Sequence, residues 1–269
     1  MTGIPAAVAL AAGADVVIVV VGDDIPFIGE TRSTATLELP GAQRPLLDAI
    51  ATLGKPTVLV LVNSKPLVLP ESARRANAIV EAWNPGMEGG TAIAELLLGD
   101  LNPSGKLTIS IPRHVGQQPI FYSQVRGQHG DRYADLTQEP LFAFGHGLSY
   151  TRYAYSDLRV TTPSPRPGEP IRCEVAVENC GARDGVEIVQ AYLSDLVTSV
   201  TWVNKRLVAF ERVALQAGEK KTVGFSIPYE RLALVDADAR EVIEPGEFEL
   251  LVGPSSRDGD LLRARFAVP

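Results

Sequence analysis

The chain is 269 residues long, 21% charged, with a formal net charge of -7, a size that suits one large domain or two ordinary ones. The acidic balance argues against nucleic acid and against an anionic membrane surface as partners, and no apolar run approaches the roughly 20 residues that span a bilayer. Two cysteines, Cys173 and Cys180, make neither a disulfide framework nor a metal cluster, and His114, His129 and His146 have no ligand spacing, so free structural thiols and no metal or cofactor are expected.

At the amino end, residues 5–12 form an Ala-rich segment with Pro5 in front and Gly13 behind. No Lys or Arg precedes it, so it makes a poor secretory signal; Pro in the first turn and Gly as cap fit a short helix instead. Nothing in the sequence selects cytoplasm, periplasm or secretion. The next stretch, residues 16–21, is six apolar residues, all β-branched. A run of that kind predicts a strand buried on both faces of a parallel sheet covered by helices. A helix feeding a central strand with nothing before it suggests that earlier strands of the same sheet are missing from the chain.

The run stops at Gly22, Asp23 and Asp24. The loop that follows carries Glu30 and Arg32 before regular structure resumes at Leu39-Pro40-Gly41. In open parallel sheets ligands bind outside the carboxyl ends of the strands, so chemistry is expected here; a solvated acidic loop is the alternative. A helix is predicted over 43–53, with Leu46, Leu47, Ile50 and Leu53 on one face, then a strand over 57–62, a short helix over 70–76, a strand over 78–83 and a helix over 91–98 that Gly99 ends. Such alternation means βαβ units. A short strand is predicted over 106–111, and residues 112–150 read as a long loop rich in Gly, Gln, His and Tyr. Past the Pro-rich segment 162–170 the pattern changes to short strands of period two, over 171–177, 186–193, 207–213, 221–227 and 248–252. Turn signals separate them, which predicts a β-sandwich.

Four motifs stand in one order: Leu39-Pro40-Gly41-Ala42-Gln43; Glu81-Ala82-Trp83-Asn84-Pro85-Gly86-Met87-Glu88-Gly89-Gly90; Gly99-Asp100-Leu101-Asn102-Pro103-Ser104-Gly105-Lys106-Leu107; and Pro140-Leu141-Phe142-Ala143-Phe144-Gly145-His146-Gly147-Leu148-Ser149-Tyr150. Together they resemble the carboxyl-terminal half of glycoside hydrolase family 3, which contains β-glucosidases, β-xylosidases and exo-glucanases. Residues 175–185 and 245–256 resemble the fibronectin type III-like domain that follows in many members. The fold the resemblance implies is α/β. A parallel-sheet α/β sandwich, incomplete at its amino end, would cover residues 1–150, and a fibronectin type III-like β-sandwich residues 151–269.

The resemblance also implies a retaining mechanism on β-linked glucosides or oligosaccharides. Retention needs two carboxyl groups about 5–5.5 Å apart. In the family the nucleophile is an aspartate on a TIM-like barrel that precedes this region, and no such barrel is encoded here. A barrel domain or chain is therefore an expected partner. The family's acid/base is a glutamate in a Gly-Glu pattern followed by Ser-Arg and Leu-Pro-Gly, which falls on Glu30; the departure is Thr34, where arginine is expected, and Arg32 is a neighbouring cation. Asp24, Arg32, Arg126 and Tyr133 are the candidate substrate contacts, with Arg126, Tyr133 and Asp135 either lining the leaving-group side or bracing their loop. Glu38 reads as the exposed side of a short strand, Glu88 as ordering a helix amino terminus, and Trp83 as core. Asp23, Asn63 and Ser64 either touch the site or finish their strands. Trp202 could reach a neighbour. The competing reading is a non-catalytic carbohydrate-binding or scaffold fragment, and an open sheet edge allows a homo-oligomer.

Overall fold

A computed structural model describes residues 3–23, 26, 28–125 and 133–269. It contains two compact units, Met1–Leu101 with Ile111–Gln118, and Asn102–Ser110 with Pro119–Pro269.

In the first unit α1 (Ile4–Ala12), β1 (Val17–Gly22), α2 (Gln43–Ala51), β2 (Thr57–Val62), α3 (Glu71–Arg74), β3 (Ala78–Glu81) and α4 (Gly89–Leu98) follow one another. The strands are parallel in the order β1-β2-β3, with Val17 opposite Thr57 and Val58 opposite Ala78. Leu59, Val60 and Leu61 of the central strand are fully or almost fully buried, as are Leu47 and Ile50 of α2. Gly99 ends α4 in the left-handed conformation that a residue without Cβ adopts freely, at φ 84°. β1 departs from expectation: Val17, Val19 and Val21 are buried, but Ile18 and Val20 are 53% and 63% exposed. One face of the sheet at β1 is therefore open. On α4, Leu98 is also exposed and only Gly89 is buried.

The second unit is a two-sheet sandwich. β4 (Tyr153–Val160), β5 (Ile171–Asn179) and β8 (Lys220–Ile227) form one sheet in the order β4-β5-β8. The other, ordered β12-β11-β6-β7, consists of β6 (Gly185–Asp195), β7 (Arg206–Leu215), β11 (Gly246–Gly253) and β12 (Leu262–Val268). A two-stranded ribbon joins β9 (Leu234–Val235) to β10 (Glu241–Val242). Alternate residues of both sheets meet in a core of Ile171, Val175, Val177, Val189, Leu193, Phe225 and Phe248, the last stacked on Phe266 at 5.5 Å. Cys173 lies in that core, where burial pushes its thiol up to about 12, and Cys180 is exposed; both are free.

No strand forms over 106–111. Leu107 instead exchanges backbone bonds with the 145–146 turn: its N–H donates to the His146 carbonyl at 2.8 Å, and Gly145 N–H donates to its carbonyl at 2.7 Å. The outer face of β6 is covered by the segment before β4. Tyr122 stacks on Phe144 at 4.2 Å and meets the ring of Tyr192 edge-on. The amide of Gln190 donates to the carbonyls of Gly145 and Pro254 and accepts from the Tyr192 hydroxyl. Gly145 has φ 79°, and a Cβ there would collide with the Gln190 amide, so two constraints select glycine. Lys106 Nζ sits 3.2 Å and 3.3 Å from the two oxygens of Glu187 and 3.1 Å from the Gly147 carbonyl, while Tyr155 donates its hydroxyl to Glu187 at 2.8 Å. Burial first and the Glu187 charge second push the Tyr155 phenol up, which keeps it a donor.

Removing one member of a buried ion pair leaves the other charge uncompensated. Lys106→Met is expected to destabilise the second unit by about 3–5 kcal/mol in denaturant unfolding, whereas Arg159→Met, at the exposed pair with Glu174, is expected to cost less than about 1 kcal/mol.

Candidate functional site

The carboxyl ends of β1, β2 and β3 gather the polar groups of the first unit. β1 ends at Gly22, whose N–H donates to Gln43 Oε1 at 2.8 Å and whose carbonyl accepts from Gln43 Nε2 at 2.9 Å. The glutamine of the Leu-Pro-Gly-Ala-Gln motif thus satisfies both backbone groups of the last strand residue. A Cβ on Gly22 would collide with the Val62 carbonyl, so no other residue lets the two strands approach this closely. Asp23 N–H donates to Val62 O at 3.0 Å, and Asp23 Oδ2 accepts from the N–H and hydroxyl of Ser64, each at 2.9 Å. The Asp23 side chain is 2% exposed, and Lys65 Nζ lies 3.8 Å from its other oxygen. Lys65 also donates to Thr34 Oγ1 at 2.8 Å.

Beyond Asp23 the chain forms the loop that holds Glu30. Arg32 N–H donates to the Gly29 carbonyl at 3.1 Å, closing a turn that presents Glu30. Gly29 has φ 104° and Thr31 φ 64°. A β-branched residue in the left-handed region is an outlier, of the kind that collects at functional sites. Glu30 and Arg32 are both exposed. The loop regains the sheet where Val68 N–H donates to Leu37 O at 2.8 Å and Glu38 bridges Val68.

At the end of β3, Glu81 Oε1 accepts from Trp83 N–H at 3.2 Å, and Asn63 Nδ2 lies 3.5 Å from its other oxygen. Burial is the main cause that pushes the Glu81 carboxyl up to about 6; these two bonds oppose it and the Asp23 charge adds to it. Asn63 is fully buried, donates to the Lys65 carbonyl at 2.8 Å, and its Oδ1 has no partner among the described residues.

Glu30, Arg32, Asn63, Ser64 and Asp23 all lie in the first unit, on segments at or beyond the ends of β1 and β2. Asp24 and Arg126 lie outside the described residues. Tyr133 is half-buried in the second unit and Asp135 is exposed there. Glu38 is exposed. Glu88 takes the cap position of α4 without a side-chain cap bond. Trp83 is half-buried at φ 51°, and the Trp202 ring faces the Arg206 guanidinium at 5.5 Å. Position 34, where the family pattern has arginine, is a threonine that accepts from Lys65.

The sequence pattern singles out neither Glu81, although it is the one carboxylate of the 78–83 run, nor Lys65, whose partner is 31 residues away. A cavity of about 310 Å³ lies at the opposite end of β2, lined by Leu47, Ile50, Lys55, Thr57, Leu59 and Asn77 among others, and no carboxylate lines it. Among the described residues no group of three His, Cys, Asp or Glu side chains is placed to hold a metal ion.

A parallel sheet with polar residues at its strand ends, in a chain that also holds a β-sandwich, defines a two-unit α/β and β class of protein. Comparison with known proteins gives the family. The glycosyl hydrolase family 3 C-terminal domain matches residues 1–150, and the fibronectin type III-like domain matches residues 187–256. The chain belongs to glycosyl hydrolase family 3. It is 40% identical over 260 residues to a periplasmic β-glucosidase of Salmonella typhimurium, covering 93% of this chain and 34% of that protein. It is also 40% identical over 266 residues to a β-xylosidase of Formosa agariphila, covering 96% of this chain and 36% of that protein. Among solved structures, a β-glucosidase involved in saponin metabolism from intestinal bacteria superposes with a TM-score of 0.94 at 50% identity, covering 99% of this chain and 38% of that one. A Listeria innocua β-glucosidase in complex with glucose superposes at 0.91 with 36% identity, covering 99% and 38%. The chain spans about a third of the length of the curated relatives it matches.

Two predictions rest on this geometry. Glu81 has its folded-state pKa raised, so its favourable contribution is complete below the unfolded value of 4.5 and is lost as pH rises through about 6. Glu81→Gln, which mimics the protonated form, should stabilise the chain at pH 8 by on the order of 1 kcal/mol, with partial exposure allowed for, and leave it unchanged at about pH 4; unfolding at both pH values measures this. Thr31→Gly should remove the left-handed strain and raise stability by about 1 kcal/mol in the same assay.

Proposed function

We propose that this chain supplies the general acid/base of a retaining β-glycosidase, acting on β-linked glucosides, and that Glu30 is that acid/base. The observation that carries the reading is an exposed glutamate on a turn beyond the carboxyl end of a parallel strand, in a family whose matched relatives are β-glucosidases and β-xylosidases. In the proposed cycle, the protonated Glu30 carboxyl donates its proton to the glycosidic oxygen as the bond to the anomeric carbon breaks. A second carboxylate attacks that carbon and holds the sugar as a covalent glycosyl ester. Glu30, now ionised, takes a proton from water, which cleaves the ester and releases the sugar with its configuration retained.

The second carboxylate is proposed to come from polypeptide outside these 269 residues. Support comes from the length of the relatives, about three times that of this chain, and from the open face of β1, where Ile18 and Val20 expose apolar surface beside an edge. Apolar surface of that kind marks an interaction site. Arg32 and, by sequence, Asp24 are proposed to contact the sugar.

The 269-residue chain by itself is expected to hydrolyse a nitrophenyl β-glucoside negligibly, and a family barrel supplied in cis or in trans is expected to restore turnover. Glu30→Gln in the restored enzyme should lower the rate on an unactivated glucoside by about 10²–10⁴-fold, the usual contribution of a general acid. Ordinary glycosidase turnover by the isolated chain would overturn the account of the nucleophile. Full activity of Glu30→Gln would overturn the assignment of the acid.

A further inference from the structure

The loop between β1 and the Glu38–Val68 bridge is fixed at both ends. It begins at Asp23, bonded to Val62 and Ser64, and it finishes where Val68 donates to the Leu37 carbonyl. Between those ends residues 29–33 are exposed. The turn that presents Glu30 is closed by a bond within the loop itself, Arg32 to Gly29. Among the described residues, Lys65 Nζ to Thr34 Oγ1, at 2.8 Å, is a side-chain bond that joins this stretch to the segment leaving β2.

The same ammonium lies 3.8 Å from the Asp23 carboxylate, which is 2% exposed and accepts two further bonds from Ser64. The carbonyl of Lys65 in turn accepts from the buried Asn63 amide. The lysine is thus held at its backbone by the end of β2, steered at its tip by the charge at the end of β1, and spent on the loop. Thr34 is itself oriented, because its hydroxyl donates to the Thr36 carbonyl at 2.7 Å and leaves its lone pairs for Lys65. A bond from a charged donor is roughly twice as strong as a neutral one, which offsets the rotamer entropy lost by a long side chain.

We propose that Lys65 is a positioning residue for the acid/base loop: by bridging Asp23 and Thr34 it fixes the segment that carries Glu30 at the mouth of the sheet. Lys65 acts through Thr34 and takes no part in proton transfer. This deepens the reading of Glu30 as acid/base and rests on it. A misplaced acid loses proton delivery, and that loss depends on the leaving group: a poor leaving group such as methanol needs the proton, whereas a dinitrophenolate departs without it. A merely structural lysine would lower both rates together.

The test uses Lys65→Met, Lys65→Arg and Thr34→Val in the chain as it is and in the enzyme completed by a barrel. In the chain, backbone amide exchange over residues 28–37 should quicken in Lys65→Met and Thr34→Val, and return toward the wild-type rate in Lys65→Arg. Thr34→Val removes the acceptor at a partly exposed site, so it keeps the test alive if Lys65→Met folds poorly. In the completed enzyme, kcat/KM for a methyl β-glucoside should fall by about tenfold to a hundredfold, the scale of a displaced catalytic group, with less than about a twofold change on a dinitrophenyl β-glucoside, which needs no proton. Unchanged exchange over 28–37 overturns the proposal, and so does an equal loss on both substrates. If Glu30→Gln itself shows no leaving-group dependence, it is the acid/base reading that fails. In that case the exchange data still decide whether Lys65 holds the loop.

Discussion

The end of β1 is the constraint on which the first unit depends. Gly22 leaves its strand so close to Val62 that no side chain fits, and the Gln43 amide closes over both of its backbone groups. Without that pair of bonds two polar groups would stand unpaired at a half-buried strand end, at a cost of about 1–3 kcal/mol each. The contact also fixes where Asp23 emerges, and Asp23 then takes the hydroxyl and N–H of Ser64. The loop beyond inherits its starting direction from one glycine and one glutamine that are 21 residues apart.

The second unit is organised in the same manner, by motif residues that make structure. Lys106 and Glu187 form a buried pair that also takes up the Gly147 carbonyl and the Tyr155 hydroxyl. A Cβ on Gly147 would collide with the Gly105 carbonyl, which ties the Pro-Ser-Gly-Lys stretch to the Phe-Gly-His-Gly stretch by close backbone approach. Buried pairs of this kind are weak evidence for stability, since desolvation consumes most of the Coulomb gain. Here every oxygen of Glu187 has a donor, and the pair joins segments 81 residues apart in the chain. That is a determinant of register between strand and strap more than a source of free energy.

Much of this could be read in the residues beforehand, and the failures have physical causes. The runs at 57–62 and 78–83, the cap at Gly99 and the alternation at 171–177 and 221–227 follow from period and turn chemistry, and strands form at 57–62, 78–81, 171–179 and 220–227. The run at 106–111 fails as a strand because Leu107 pairs its backbone with a turn, a partner that local pattern does not reveal. β4 was missed because Asp157, at φ 57°, interrupts the alternation with a bulge. The β1 run predicts two buried faces because hydrophobicity records what a residue prefers, while Ile18 and Val20 are covered only if something is there to cover them. In the site, the Gly-Glu and Leu-Pro-Gly spacing singles out Glu30 as the expected acid, and the structure adds that it is exposed on a turn. Asn63 was marked only by its place at a strand end, and Lys65 carried no signal, since its bond to Thr34 spans 31 residues.

The two glutamates at the strand ends show how the fold divides its tasks. Glu81 is partly desolvated, bonded to Trp83 and Asn63, and burial pushes its carboxyl up to about 6. A raised pKa can mark a functional acid, yet both of its oxygens here face donors of its own unit. Glu30 has the opposite profile, exposed on a strained turn and held through Thr34 by a distant lysine. A carboxyl that must give its proton to a glycosidic oxygen needs low-dielectric surroundings and a second carboxylate close by. On the proposed mechanism, the sugar and the opposing wall of the site supply both.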